Sequence, residues 1–125
     1  MPAKQKTIIV VEDEQEAAEM FAEMMRVSGF RVLKASGSGP AMSMIDKEIP
    51  AAVILDIMMP DISGLEVLRY MRRERRLAKI PVVVVSAKSL PADIQTGMEA
   101  GASMYLTKPV GYLQLKDAVE KALGA

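Results

Sequence analysis

Five short runs of aliphatic and β-branched residues recur along the chain, and each is followed by a segment with helical periodicity. The runs end at Val11, Ala35, Asp56, Ser86 and Thr107. An apolar run bounded by polar or turn residues is typical of a strand that is buried on both faces. Parallel strands need long crossover connections, which helices provide. The alternation therefore predicts an α/β fold, a doubly wound five-stranded parallel sheet of the (βα)5 type.

The first three helical segments carry start and stop signals. We predict a first helix over about 15–28, with Gly29 just past its end. Its buried face is expected to be formed by residues at helical spacing: Ala17, Met20, Phe21 and Met24. The second helix is expected to open at Pro40, after a Ser36–Pro40 loop. Ser63 and Glu66 have the spacing of a capping box, which places the third helix at about Gly64.

The later segments are less uniform in their apolar patterning. A fourth helix is predicted from Pro91 to Ala100, with a thin apolar face formed mainly by Ile94 and Met98. The last helix has the clearest periodicity, from Leu115 onward. An arginine cluster closes the third helix, where positive charge is favourable, and we interpret it as a solvated helix end. Its members are Arg69, Arg72, Arg73, Arg75 and Arg76.

Composition narrows the classes of function. The chain has 125 residues, the size of one domain, and 50% of them are hydrophobic. Its 16 basic and 16 acidic residues give zero formal net charge, which argues against binding nucleic acid or an anionic membrane. The absence of cysteine and histidine excludes thiol chemistry and a phosphohistidine formed in cis. With neither a membrane-spanning stretch nor a signal peptide in the sequence, we expect a cytoplasmic protein.

Polar side chains follow four of the five predicted strands. Glu12 and Asp13 follow the first, Asp56 ends the third, Ser86 ends the fourth and Lys108 follows the fifth. Because ligands of open α/β sheets bind outside the carboxyl ends of the strands, we expect these groups to surround one pocket. Three carboxylates and one lysine leave a net negative charge there. A hard divalent cation with oxygen ligands relieves that repulsion, which points to Mg²⁺.

Such a group of residues is suited to phosphoryl transfer. A metal and a lysine neutralise phosphoryl oxygens, and a hydroxyl donates a hydrogen bond to them. A carboxylate can act as the nucleophile and become an acyl phosphate. Asp56 is the best candidate for this role because it is central in the sheet. Ser86 would then bond a phosphoryl oxygen, and Lys108 would pair with both Asp56 and the phosphoryl group.

Five motifs in this order resemble the receiver domain of two-component response regulators. They are Val10–Glu14, Leu55–Gly64, Val85–Ala87, Ala100–Ala102 and Tyr105–Pro109. The resemblance covers about 6–123 and implies a single receiver domain over 1–125, with the flavodoxin-like strand order 2-1-3-4-5. The chain differs mildly from the family, which often has Asp where this chain has Glu12 and Thr where it has Ser86.

The resemblance implies a mechanism and partners. Asp56 would accept a phosphoryl group from a phosphohistidine on a sensor histidine kinase or a histidine phosphotransfer protein. Mg²⁺ would be bound by Asp13, Asp56 and the backbone carbonyl of Met58, with Glu12 acting partly through water. Ser86 and Tyr105 would form a switch that changes how the face of the fourth helix, fifth strand and fifth helix binds a downstream effector.

The same resemblance implies four further features. The protein would be a signalling switch rather than an enzyme acting on a free substrate, and phosphorylation could produce a homodimer. The Lys108–Pro109 bond is expected to be cis. Met58 and Lys88 occupy positions where the family tunes the lifetime of the phosphoryl group.

Three other functions stay open at this point. A phosphohydrolase of the haloacid dehalogenase type also uses an aspartate nucleophile, but it needs a second aspartate where this chain has Met58. A flavodoxin-like FMN carrier needs a phosphate-binding loop where this chain has Glu12 and Asp13. The third alternative is a pseudo-receiver that docks to a partner without being phosphorylated. The intact set of acidic residues argues against it.

Overall fold

The computed structural model describes residues 5–124, so residues 1–4 and 125 of the predicted domain lie outside the described part. Its strands are β1 (Thr7–Val11), β2 (Arg31–Ala35), β3 (Ala52–Leu55), β4 (Val82–Ser86) and β5 (Met104–Thr107). Its helices are α1 (Gln15–Val27), α2 (Ser38–Glu48), α3 (Gly64–Arg73), α4 (Pro91–Ala100) and α5 (Tyr112–Ala122). Within residues 5–124, no helix is long and apolar enough to cross a lipid bilayer.

The strands form one parallel sheet in the order β2-β1-β3-β4-β5. The predicted fold class and strand order are confirmed. The burial of the three inner strands explains why apolar runs predicted them. Every residue of β3 and β4 is buried, and β1 is buried after Thr7. Strands buried on both faces need apolar residues at every position rather than at alternate ones.

Alternate residues of the central strands enter two separate cores. Ile9 and Val11 of β1 face a cluster that includes side chains from α2 and α3. Ile8 and Val10 face a second cluster that includes side chains from α1 and α5. Full burial of one such side chain contributes about 2 kcal/mol to folding. The sheet is therefore held from both sides, and its carboxyl edge is left between the two helical layers.

Two predicted helix faces are wrong in part. The buried residues of α1 are Ala18, Phe21, Ala22 and Met25, whereas Met20 is 46% exposed. The buried face of α1 is rotated from the predicted one because the helix carries apolar residues on two sides. It packs through the side that meets the sheet and α5. In α4, Met98 is exposed and the helix packs through Gly97 instead.

The second helix begins at Ser38, two residues before the predicted opening at Pro40. A proline in the first turn is tolerated because the first N–H groups of a helix have no intrahelical partner. Asp61, from the loop after β3, accepts a hydrogen bond from the Ser38 N–H at 3.0 Å. The helix is thus capped by a carboxylate distant in sequence, which the local pattern does not reveal.

The third helix begins at Gly64, as predicted, but the capping box does not form in full. Ser63 Oγ accepts a hydrogen bond from the Leu65 N–H at 3.2 Å, whereas the Glu66 carboxylate pairs with Arg69. A glutamate at this position has two competing partners, and the arginine one turn later is the stronger because both groups are charged.

Arg72 is a second correction in this helix, because its side chain is partly buried and its guanidinium bonds the backbone rather than solvent alone. Its guanidinium donates hydrogen bonds to the backbone carbonyls of Gly101 (3.0 Å), Ala78 (3.1 Å) and Ile80 (2.8 Å). Burial lowers its pKa below the ordinary arginine value. These bonds tie the end of α3 to the strand entry at β4 and to the C-terminal end of α4.

Ile49, just after α2, has a left-handed backbone with φ 44° and ψ 67°. A β-branched side chain at positive φ is strained by about 1–2 kcal/mol. We therefore expect Ile49→Asn to raise the free energy of unfolding by about 0.5–1 kcal/mol, because asparagine tolerates this conformation. Urea denaturation measures the change. Ile49→Val keeps the branched carbon and should bring no gain, so equal stability of the two variants would contradict the strain argument.

Candidate functional site

Three carboxylates meet at the carboxyl edge of the sheet. Glu12 and Asp13 directly follow β1, and Asp56 directly follows β3, its pairing neighbour. The Asp56 N–H donates to the carbonyl of Val11 at 2.9 Å, which fixes the two strand ends side by side. One carboxylate oxygen from each of the three acids lies within 4.8 Å of the others. The part of the sequence prediction that concerns the three carboxylates is confirmed, since they converge at this edge.

Lys108 reaches the same place from the end of β5. Its Nζ lies 2.8 Å from Glu12 Oε1 and 3.1 Å from Asp56 Oδ2. The two acids are almost completely buried, with side-chain exposures of 2% and 7%, whereas the lysine is 28% exposed. The Lys108–Pro109 peptide bond is cis, as the resemblance implied.

The electrostatics of this group are set mainly by burial. Burial raises the pKa of Glu12 to about 7, and the neighbouring Asp56 adds to the rise, while Lys108 opposes it. For Lys108, burial alone would lower the pKa. The hydrogen bonds and attraction from Glu12 and Asp56 outweigh that effect and raise the pKa of Lys108 above its ordinary value. The lysine is therefore held charged between the two acids.

The loop after β3 fixes the orientation of Asp56. The Met58 N–H donates to Asp56 Oδ1 at 2.9 Å. The loop then folds back so closely on the start of α3 that a Cβ at Gly64 would lie 2.6 Å from the backbone oxygen of Asp56. Only glycine fits without moving the backbone. Gly64 therefore shapes the loop that presents the Asp56 carboxylate.

Ser86 and Tyr105 are linked through one residue. The buried Ser86 Oγ accepts a hydrogen bond from the Lys88 N–H at 3.1 Å. The Tyr105 hydroxyl donates to the Lys88 carbonyl at 2.8 Å. The loop after β4 thus connects the end of that strand to the half-buried aromatic ring on β5. Lys88 was singled out in the sequence for another reason, and this backbone link was not foreseen.

A cleft opens beside the acids, with a volume of about 530 Å³. Its lining residues are Asp13, Ile57, Met58, Met59, Pro60, Ser63 and Lys88. The donor set fits Mg²⁺, because three clustered carboxylates offer oxygen atoms and Lys108, which pairs with two of them, offsets only part of their charge. Met58 lies at the mouth of this cleft, and its side chain is 48% exposed.

Comparison with known proteins agrees with this geometry. A family model described as "Response regulator receiver domain" matches residues 8–120. The polar-differentiation response regulator DivK of Brucella ovis is 25% identical over 119 residues, which cover 95% of this chain and 97% of DivK. The chain belongs to the response regulator receiver domains, the signalling switches of two-component systems, which bind Mg²⁺ through an acidic pocket.

Solved structures show the same relationship. A response regulator structure from Chloroflexus aurantiacus is 30% identical, with a TM-score of 0.93 over 98% of this chain and 100% of that chain. The BeF3-activated DrrB receiver domain is 28% identical, with a TM-score of 0.87 over 98% of this chain and 100% of that chain. The acidic edge therefore lies in a framework shared by proteins of this family.

Asp61 allows a test of how the site loop is held. Hydrogen bonds from the N–H groups of Ile62, Ser38 and Gly39 lower the pKa of its carboxyl. A lowered pKa in the folded state stabilises the fold above the unfolded value of about 3.9, and this stability is lost as the pH falls through the folded-state pKa. We expect Asp61→Asn to lower the melting temperature at pH 7, and the difference from wild type to shrink below about pH 4.

Thermal melts from pH 7 to pH 3 measure this difference. Asp117→Asn is the matched control, because Asp117 is an exposed acid that pairs with Lys121 along α5. A deficit of the Asp61 variant that stayed constant across the whole pH range would contradict a role for the charge.

Proposed function

We propose that Asp56 is the phosphoacceptor of a two-component signalling switch. The observation that carries the proposal is the position of Lys108 Nζ, between Glu12 and Asp56 at the sheet edge. A lysine held charged beside a buried carboxylate is placed to stabilise negative charge on an incoming phosphoryl group. We further propose that the receiver core spans about 6–123, which contains the residues 8–120 matched by the family model.

In the proposed reaction an oxygen of the Asp56 carboxylate attacks the phosphorus of a phosphohistidine. The new O–P bond forms as the N–P bond breaks, and the imidazole nitrogen keeps the electron pair. Lys108 exchanges part of its pairing with Asp56 for a phosphoryl oxygen, and the Ser86 hydroxyl donates a hydrogen bond to another. Since these 125 residues contain no histidine, the phosphohistidine lies outside them, and we propose that it is carried by a sensor histidine kinase or a histidine phosphotransfer protein.

Asp13, Asp56, the backbone carbonyl of Met58 and, partly through water, Glu12 would hold Mg²⁺ in this proposal. The ion would neutralise phosphoryl oxygens. Asp13 is the best placed to stay bound throughout, because it is not paired with Lys108 and lines the open cleft. The raised pKa of Glu12 fits an acid that contacts the ion through water rather than as a direct ligand.

The switch of the proposed function consists of Ser86 and Tyr105. When Ser86 turns to the phosphoryl group, its bond to the Lys88 N–H changes, and Lys88 also bears the carbonyl that holds Tyr105. The output is a change in how the α4–β5–α5 face binds a downstream effector protein or domain, or a second copy of the chain. We propose a cytoplasmic location, no direct nucleic-acid or membrane binding, and no free substrate.

We expect one phosphoryl group to be added when the protein is incubated with Mg²⁺ and acetyl phosphate. Intact mass spectrometry measures the gain, which should be absent from Asp56→Asn and from a sample with chelator, and should be removed by hydroxylamine. Acyl phosphates are cleaved by this nucleophile, whereas phosphoserine is not. If neither acetyl phosphate nor a phosphorylated histidine phosphotransfer domain modifies the protein, the proposal fails and a docking pseudo-receiver becomes the better reading.

The metal ligands can be tested without phosphorylation. Asp13→Asn removes a charge and a strong oxygen ligand from the acidic cluster, so we expect the affinity for Mg²⁺ to fall by about tenfold or more. Isothermal titration calorimetry with MgCl₂ alone measures it. Asp117→Asn removes an equal charge from the outer surface of α5 and should bind Mg²⁺ as the wild type does. Equal affinities in all three proteins would place the ion elsewhere.

A further inference from the structure

The ring of Tyr105 lies directly against the backbone of α4. A Cβ built on Gly97 would lie 2.8 Å from both Cδ2 and Cε2 of this ring, closer than real Cβ contacts. The same tyrosine donates its hydroxyl hydrogen to the Lys88 carbonyl at 2.8 Å. The observed position of the ring therefore depends on the absence of a side chain at residue 97.

Glycine is an unfavourable residue in the middle of a helix, because it loses more backbone freedom on folding than any other residue. All residues of α4 lie within the described part of the chain, and Gly97 is the buried one among them. Its backbone φ is not positive, so the helix itself does not require glycine. The close approach of Tyr105 is the feature that does.

The C-terminal end of α4, which includes Gly97, is tied to α3. The Arg72 guanidinium donates to the Gly101 carbonyl at 3.0 Å, and the Ala102 N–H donates to the Gly97 carbonyl at 3.1 Å. A Cβ at Gly101 would also meet the Arg72 side chain at 2.6 Å. Because the C-terminal end of α4 is held against α3, the Tyr105 ring is the group that must yield to a larger residue 97.

We propose that Gly97 is the positioning residue that lets Tyr105 occupy its observed place against α4, and that it thereby sets whether a change at Asp56 reaches α4. This inference rests on the proposed function. A methyl group at residue 97 forces the ring outward and breaks its bond to Lys88. Phosphorylation of Asp56 then proceeds, but the helix no longer responds to it.

Gly97→Ala tests the proposal, with Gly39→Ala as the matched control. Gly39 also lies in a helix, α2. Apart from its chain neighbours and the nearby backbone of the same helix, no heavy atom of the described residues lies within 4 Å of a Cβ built there. The proteins are labelled with ¹⁵N and with ¹³C-tyrosine, and the Tyr105 signals are assigned with Tyr105→Phe. NMR spectra are recorded with Mg²⁺, with and without excess acetyl phosphate, alongside intact mass.

In the wild type we expect contacts between the Tyr105 ring protons and the Gly97 Hα protons, in at least one of the two states. In Gly97→Ala we expect Tyr105 ring signals typical of an exposed tyrosine in both states. Phosphorylation should be unchanged within about twofold, while the shift changes of α4 amides on phosphorylation should fall by about fivefold or more. Gly39→Ala should match the wild type in every measurement.

The possible failures are distinguishable. If Gly97→Ala is phosphorylated normally and its Tyr105 and α4 signals respond as in the wild type, the positioning role is overturned. If the wild type shows no Tyr105–Gly97 contact in either state, the role is overturned even if the variant does not fold. If none of the proteins is phosphorylated, but the Tyr105–Gly97 contact is present in the wild type and lost in Gly97→Ala, the proposed phosphorylation fails. The positioning of Tyr105 by Gly97 is then upheld.

Discussion

The bridge formed by Lys108 between Glu12 and Asp56 joins parts of the chain that are far apart in sequence. It connects the ends of the paired inner strands β1 and β3 to the end of the edge strand β5, which lies beyond β4. Two buried acids without this lysine would repel each other in a poorly solvated place, and one of them would have to be protonated. The chemistry of the sheet edge therefore depends on β5 closing beside β4 and bringing the ammonium group across.

The fold and the acidic site were largely predictable from the sequence, for the same physical reason. Strands that are buried on both faces need uninterrupted apolar runs, and a charged residue can follow only where the strand leaves the core. Asp56 after Ala52–Leu55 is placed by this rule. The edge strand Met104–Thr107 is only partly buried, and Lys108 was located simply as the residue that follows this short run. Parallel pairing then brings the carboxyl ends together without further information.

The parts that the sequence did not reveal depend on contacts across the fold. Asp61 caps α2 from another loop, and Arg72 bonds three carbonyls that no local pattern connects with an arginine. The α1 face was misjudged because the helix carries apolar residues on two sides, including the exposed Met20. In α4 the packing residue was a glycine, which a search for apolar side chains passes over.

The division of the core by the sheet has a consequence for how such a domain can diversify. Ile8 and Val10 belong to one cluster and Ile9 and Val11 to the other, so the sheet separates the side chains packed under α1 and α5 from those packed under α2 and α3. Each helical layer can be repacked, and can acquire a new outer surface, while the backbone that carries the acidic edge stays in place. Partner choice and the proposed phosphoryl chemistry can thus evolve as separate traits of one small domain.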